Sequence, residues 1–276
     1  MSFFASIIYG FISGITEILP VSSQGHQALL RYMFGADTRI PLQEFLVHIG
    51  VLLSLLIGCG EMLKKLLREQ KTLSGRYRRR KHQPANKASY DLRLLKSASL
   101  LLFIAMFAYF STQRFENGLL YIMAFWLVNA VILLVADYMP RGNRDARTMS
   151  SLDGIVMGIA GALSVFPGIS RTGTITAYTI ARGVDNETAA NWSLLLGIPA
   201  LLFYALFDLV GLVTLGAGVQ TPGAIIGCIL SGVTAFAGGY LGISLLRLIL
   251  NHTGLSKFAY YSIGATMFSF AIFLIT

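Results

Sequence analysis

A run of thirteen residues, Gly14-Ile15-Thr16-Glu17-Ile18-Leu19-Pro20-Val21-Ser22-Ser23-Gln24-Gly25-His26, sets a carboxylate, hydroxyls and an imidazole around a proline. A second run, Pro167-Gly168-Ile169-Ser170-Arg171-Thr172-Gly173-Thr174, sets a guanidinium and more hydroxyls just after another proline. Ser23 and Ser170 stand where a short helix restarts, the position of an N-cap. The restarted helices aim free N–H groups and positive dipole ends into the gap between them, which suits a phosphate. Arg171 adds a guanidinium that grips phosphate oxygens bidentately. Ser22, Thr172 and Thr174 add hydroxyl donors, and Gly173 belongs to the same binding set. Glu17 and His26 supply the carboxylate and imidazole needed for metal holding and general acid–base work. His26 follows Ser23 by three residues, so on a helix the two face the same way, and His26 can activate Ser23 or a water.

These groups lie in very apolar sequence. Of 276 residues 55% are hydrophobic and 13% are charged, whereas soluble domains carry about 25% charged residues. Runs such as Leu94–Phe110, Leu119–Val135 and Tyr260–Ile275 approach the roughly 20 apolar residues that cross a bilayer. They are continuous rather than alternating, which points to helices and not a barrel. The expected fold class is an all-α polytopic membrane protein with six transmembrane helices, about 43–63, 92–111, 118–138, 188–212, 222–248 and 257–276. Two further apolar segments, 2–19 and 153–166, each end at a proline and lead into a second short helical run, 24–35 and 171–183. Freed backbone groups at membrane depth are tolerated only inside protein or along a wet cavity, so these segments read as re-entrant helix-loop-helix pairs.

The two pairs are related. At an offset of 147 residues Gly14 falls on Gly161, Pro20 on Pro167, Ser23 on Ser170 and Gly50 on Gly197. Residues 1–138 and 148–276 then form two repeats within one membrane domain, each with one re-entrant pair and three spans. Three crossings are odd, so the repeats have inverted topology, a plan that puts the site near the midplane at their interface. Residues 61–96 hold twelve Lys or Arg against three acids, an excess equal to the whole net charge of +9. That bias places the basic loop 64–96 in the cytoplasm, with 139–151 on the same side and 213–221 and both termini outside. The first re-entrant pair then enters from outside and the second from inside. The loop should lie on anionic lipid head groups, worth about 1 kcal/mol per basic residue near the surface. No aromatic platform interleaves its charges, which argues against nucleic acid.

Each feature has a plainer reading. Proline breaks often only kink packed helices, and Glu17 with Arg171 would make a structural ion pair. Convergence of the whole set from two related breaks favours a site, because ionisable residues at membrane depth are costly. Glu44 and His48 share a face of the first span and are candidate metal ligands or supports for them, a packed neutral histidine being the alternative. Asp208 and Arg247 lie near span ends and are expected to snorkel. Asn129 is expected to make an interhelical hydrogen bond and no more. Cys59 and Cys228 read as packing residues, not as a disulfide or metal site. The stretch Gly238-Gly239-Tyr240-Leu241-Gly242 allows close helix contacts and hence a homodimer. Met1–Ile8 lacks the basic leader and cleavage site of a signal peptide and is read as part of the mature fold.

The two motifs resemble those of the bacterial undecaprenyl-pyrophosphate phosphatases, the bacitracin-resistance protein family. That family carries Glu-x-x-x-Glu-Phe-Leu-Pro-Val-Ser-Ser-x-Gly-His and Pro-Gly-x-Ser-Arg-Ser-Gly, matched here by residues 16–26 and 167–173. Length, span count and the repeat agree over the whole chain. The resemblance implies a bacterial cytoplasmic-membrane enzyme that removes the terminal phosphate of a polyisoprenyl (C55) pyrophosphate at the outer face, recycles the lipid carrier of cell-wall synthesis and confers bacitracin resistance. By position it makes Glu17, Ser23, His26 and Arg171 active-site residues, assisted by a divalent cation, Mg²⁺ or Ca²⁺. Two departures stand out: the family's first motif glutamate is Ser13 here, and its usual glutamine in the first span is His48. Glu44 and His48 are therefore expected to take over part of the missing role. The competing function is a flippase for undecaprenyl phosphate with little hydrolysis, the inverted repeat being suited to alternating access. Acidic residues are too few for a charged-ring cation channel.

Overall fold

A computed structural model describes residues 2–36, 39–79, 92–112, 118–140, 142–144, 146–219 and 221–275. Among them run eleven α-helices, joined by short 3-10 turns and with no β-sheet: α1 (Phe3–Ile18), α2 (Ser23–Met33), α3 (Pro41–Gly58), α4 (Gly60–Arg79), α5 (Leu92–Thr112), α6 (Leu119–Tyr138), α7 (Ser151–Ala162), α8 (Arg171–Ala181), α9 (Asn186–Leu215), α10 (Pro222–His252) and α11 (Ser256–Ile275). Five of these, α3, α6, α9, α10 and α11, are long and apolar enough to cross a membrane, which makes the chain a polytopic helical membrane protein. Helix α5 stands where the sixth was expected, and its apolar described stretch is Leu94–Ile104. Basic residues between 80 and 91, and Arg141, lie outside the described residues.

The first span ends at Gly58 rather than near residue 63. Cys59 closes it, and Gly60 opens α4, which carries the basic residues. Two glycines around one residue weaken a helix at that point. Helices α9 and α10 run longer than expected, to 30 and 31 residues.

Small residues bring the spans together. Helix α1 lies along α10, α10 along α3, α3 along α9, and α6 along α11, while α7 rests on α5 and α8 wedges among α6, α7 and α9. Without a hydrophobic drive between helices in lipid, such contacts depend on close backbone approach. Gly14 shows how close: a Cβ there would strike the backbone of Ala235. The glycine run 238–242, read as able to serve a homodimer, is used within the chain. Gly238 faces the backbone of Phe11, Gly239 the Ser54 side chain and Gly242 that of Ile18.

Two of these packed elements are interrupted where the sequence places its prolines. Helix α1 stops at Ile18, Leu19 turns extended, and α2 restarts at Ser23. Helix α7 gives way to one 3-10 turn, Leu163–Val165, before α8 restarts at Arg171. Ser170 caps α8, its hydroxyl accepting from Gly173 N at 3.1 Å. In the first break the cap is one residue earlier than expected: Ser22 Oγ accepts from Gly25 N at 3.4 Å. Ser22 sits at φ 65°, among the described residues the one non-glycine there with positive φ. This twist turns Ser22 into the cap and leaves the Ser23 hydroxyl for other work.

Candidate active site between the broken helices

The last turn of α1 and the first turns of α2 and α8 converge on one narrow cleft, lined by Glu17, Ser22, Ser23, Ser170 and Arg171 with Tyr204 of α9. The Glu17 carboxylate accepts from the Ser23 hydroxyl and pairs with Arg171 Nη2 at 3.2 Å. Arg171 also reaches the Glu17 carbonyl at 3.4 Å. Its side chain is only 4% exposed, yet Nε and Nη1 have no hydrogen-bond partner. A buried guanidinium with two idle nitrogens is costly unless an anion completes it. The N-termini of α2 and α8 open on the same cleft and add their free N–H groups.

Helix α6 ties the two breaks to each other. Asn129 donates from Nδ2 to the Pro20 carbonyl at 3.1 Å and accepts from Ser170 N at 3.0 Å. Trp126 Nε1 donates to the Val21 carbonyl at 3.0 Å. Across the cleft, Gly168 N donates to Ser22 Oγ at 3.0 Å and Ser170 Oγ to the Leu19 carbonyl at 3.3 Å. The carbonyls of Leu19, Pro20 and Val21 and the amides of Gly168 and Ser170 are thus satisfied by the opposite break or by α6, as the apolar surroundings require. Asn129 does more than the single interhelical bond expected of it.

The structure brings Glu17, Ser23 and Arg171 together, with Ser22, Ser170 and the α8 N-terminus around them. Thr172 and Thr174 serve the backbone: Thr172 donates to the Glu17 carbonyl at 3.3 Å and Thr174 to the Ser170 and Arg171 carbonyls at 3.0 Å. Gly173 contributes its amide to the Ser170 cap. His26 is not joined to Ser23. Its Nδ1 meets the Ser22 carbonyl at 2.7 Å and its Nε2 the Tyr261 hydroxyl at 2.9 Å, and its ring stacks on Tyr261 and abuts Trp126. The carboxylate within reach of the Ser23 hydroxyl is that of Glu17.

Glu44 and His48 part company. Glu44 accepts from the Tyr9 hydroxyl at 2.5 Å and pairs with Arg31 at 3.3 Å. His48 Nδ1 meets Asp208 Oδ2 at 2.5 Å. Asp208 is therefore no snorkelling residue; it is 8% exposed and held between α3 and α9. To a divalent cation the cleft lining offers one carboxylate, Glu17. Such ions take several oxygen ligands, and no group of three or more His, Cys, Asp or Glu occurs among the described residues. Each carboxylate near the breaks already carries a cationic or imidazole partner.

Reasoning on sequence missed Tyr204, Arg31 and the weight of Asn129. An amide in the middle of an apolar span was the signal for Asn129, since two proline breaks leave carbonyls that need donors. Tyr204 gave none.

Comparison with known proteins gives the family. The family model of the bacitracin resistance protein BacA matches residues 6–268. The undecaprenyl-diphosphatase of Thermosipho africanus is 29% identical over 272 residues, 96% of this chain and 98% of that protein. Those of Carboxydothermus hydrogenoformans and Treponema denticola are 30% and 29% identical, each over 95% of this chain and 94% of theirs. The chain belongs to the bacitracin resistance protein BacA family.

Proposed function

We propose that this chain is an undecaprenyl-diphosphatase, which hydrolyses undecaprenyl pyrophosphate to undecaprenyl phosphate and phosphate and so recycles the cell-wall lipid carrier. One observation carries the assignment of its site: a buried Arg171 with two idle nitrogens beside a Ser23 hydroxyl already hydrogen-bonded to Glu17. The pyrophosphate would take the idle face of Arg171 and the N–H groups of α2 and α8, which neutralise charge on the transferring phosphoryl oxygens. Ser23 Oγ then attacks the terminal phosphorus while Glu17 takes its proton. The bond from that phosphorus to the bridging oxygen breaks, and undecaprenyl phosphate leaves with the electron pair and takes up the proton from Glu17. Water, deprotonated by Glu17, attacks the phosphoserine; the bond from phosphorus to Ser23 Oγ breaks, Glu17 returns the proton to that oxygen, and phosphate is freed. His26 acts here as a positioning residue, bracing the Ser22 carbonyl against Tyr261 and so the turn that aims Ser23.

The inverted repeat is part of the same reading. Helix α1 lies on α10 as α7 lies on α5, while α3 with α9 and α6 with α11 pair across the proposed pseudo-twofold axis. Residues 1–138 and 148–276 would then be the two repeats, with the broken pairs re-entrant from opposite faces. The excess of basic residues in 64–96 supports a cytoplasmic loop on anionic lipid and a cleft that receives its head group from the outer side of the cytoplasmic membrane.

Phosphate release from undecaprenyl pyrophosphate by the purified protein tests the assignment. Release is expected from the wild type and, about 10³-fold more slowly, from Arg171→Ala. Undiminished release from that variant overturns the site.

A further inference from the structure

Behind the cleft lies a group that the reaction above does not use. Tyr204 lines the same cleft as Glu17, Ser23 and Arg171, and its hydroxyl accepts from Gln24 Nε2 at 3.2 Å. His48 of α3 lies nearly flat on the Tyr204 ring, centroids 5.1 Å apart and planes 17° from parallel. Asp208 stands one helical turn beyond Tyr204 on α9, so the two share a face, and it takes His48 Nδ1 at 2.5 Å. Ring on ring, ring to carboxylate and one turn of helix form a closed circuit of three buried residues. A histidine–carboxylate pair at membrane depth is an expensive way to fill space, since apolar side chains would pack there without desolvation cost. What the pair supplies is orientation: Asp208 fixes the imidazole, and the imidazole fixes the plane of the phenol whose hydroxyl faces the cleft.

We propose that Tyr204 is a substrate-binding residue, giving a hydrogen bond to a phosphoryl oxygen of the pyrophosphate, and that His48 with Asp208 is the positioning pair that holds it there. The proposal rests on the reading of this cleft as the phosphatase site. It also divides the roles expected of Glu44 and His48: Glu44 is committed to Arg31 and Tyr9 away from the cleft, and His48 serves the cleft through Tyr204.

The test is a double-mutant cycle on phosphate release from undecaprenyl pyrophosphate in detergent, with kcat and KM measured separately and the melting temperature recorded for each variant. Removing one hydrogen bond to a charged group predicts about a tenfold loss of kcat/KM for Tyr204→Phe. His48→Ala is expected to lose a similar factor. The double variant should be no worse than Tyr204→Phe within about twofold, because both changes remove the same contact. Asp208→Asn gives a second entry to the circuit should His48→Ala not fold; its loss should likewise vanish in the Tyr204→Phe background. A Tyr204→Phe enzyme with unchanged kcat/KM overturns the binding role. Losses that multiply in the double variant overturn the positioning role, since a pair acting on stability alone has no reason to depend on a phenol hydroxyl. Arg171→Ala, run alongside, separates the two readings. If it stays fully active the cleft itself is wrongly assigned, whereas if it loses its activity and Tyr204→Phe keeps an unchanged kcat/KM, only the present proposal fails.

Discussion

At the first break the chain crosses from α1 to α2 through Pro20 and a serine at φ 65°, and at the second from α7 to α8 through Pro167 and a glycine at φ 113°. Glycine reaches that region without cost, while a residue with a Cβ pays about 1–2 kcal/mol. Ser22 gives something back that glycine cannot: its hydroxyl accepts from Gly25 N and from Gly168 N, joining one break to the other. The two breaks also differ in charge. The first brings the carboxylate Glu17 and the second the guanidinium Arg171. On the proposed reading, the two breaks carry unlike residues and so make a site with a base on one side and an anion grip on the other, which two identical breaks would not.

The largest effect should come from the second break. Arg171→Ala removes the anion grip and leaves Glu17 buried without its partner, and kcat should fall about 10³-fold. Arg171→Lys keeps the charge but not the fork, and should recover only part of that loss. Full recovery by lysine in a phosphate-release assay would mean that charge alone matters at the second break.

Next is the first break. Glu17→Gln preserves size and a hydrogen bond to Ser23 but can no longer take its proton, so kcat should fall about 10²-fold. A loss as large as that of Arg171→Ala, together with a raised KM, would show that the carboxylate acts in binding as well, and the proposed division of roles between the breaks would blur.

Much of this division was legible in the sequence. Proline, serine and glycine mark a break locally, and an ionisable residue in apolar sequence marks itself, so Glu17, Ser23 and Arg171 stand out by residue type and place in the chain alone. The partners of His48 and Glu44 do not. His48 meets Asp208 across 160 residues of chain, a contact fixed by how α3 packs on α9, and Glu44 is claimed by Arg31 and Tyr9 from two other helices. The shift of the N-cap from Ser23 to Ser22 was hidden for a different reason: adjacent serines have the same propensity, and only the φ of one of them decides. His26 shows the limit of spacing arguments. Three residues after Ser23 it shares a helix face in principle, but the first turn of α2 sends its ring to Tyr261.

A moderate effect should follow from cutting the tie between the breaks. Asn129→Leu leaves the Pro20 carbonyl and Ser170 N without their partner, at about 1–3 kcal/mol for each buried group. The melting temperature in detergent should fall, and residual activity should fall with it because both halves of the site lose register. A variant with unchanged melting temperature would mean that the breaks hold each other without α6.

The smallest effect reads the backbone difference itself. Ser22→Gly and Ser22→Ala both lose the hydroxyl bonds to Gly25 N and Gly168 N, so that loss cancels between them. What remains is the Cβ at φ 65° in the alanine variant, worth about 1–2 kcal/mol, set against the extra chain freedom that glycine gives the unfolded state, about 0.5–1 kcal/mol. Ser22→Gly should therefore be the more stable of the two by a margin of about 1 kcal/mol or less, read as the difference in their melting temperatures. If alanine is the more stable, the first break does not hold residue 22 in a strained conformation. The two breaks would then differ in the side chains they carry and no longer in the backbone that presents them.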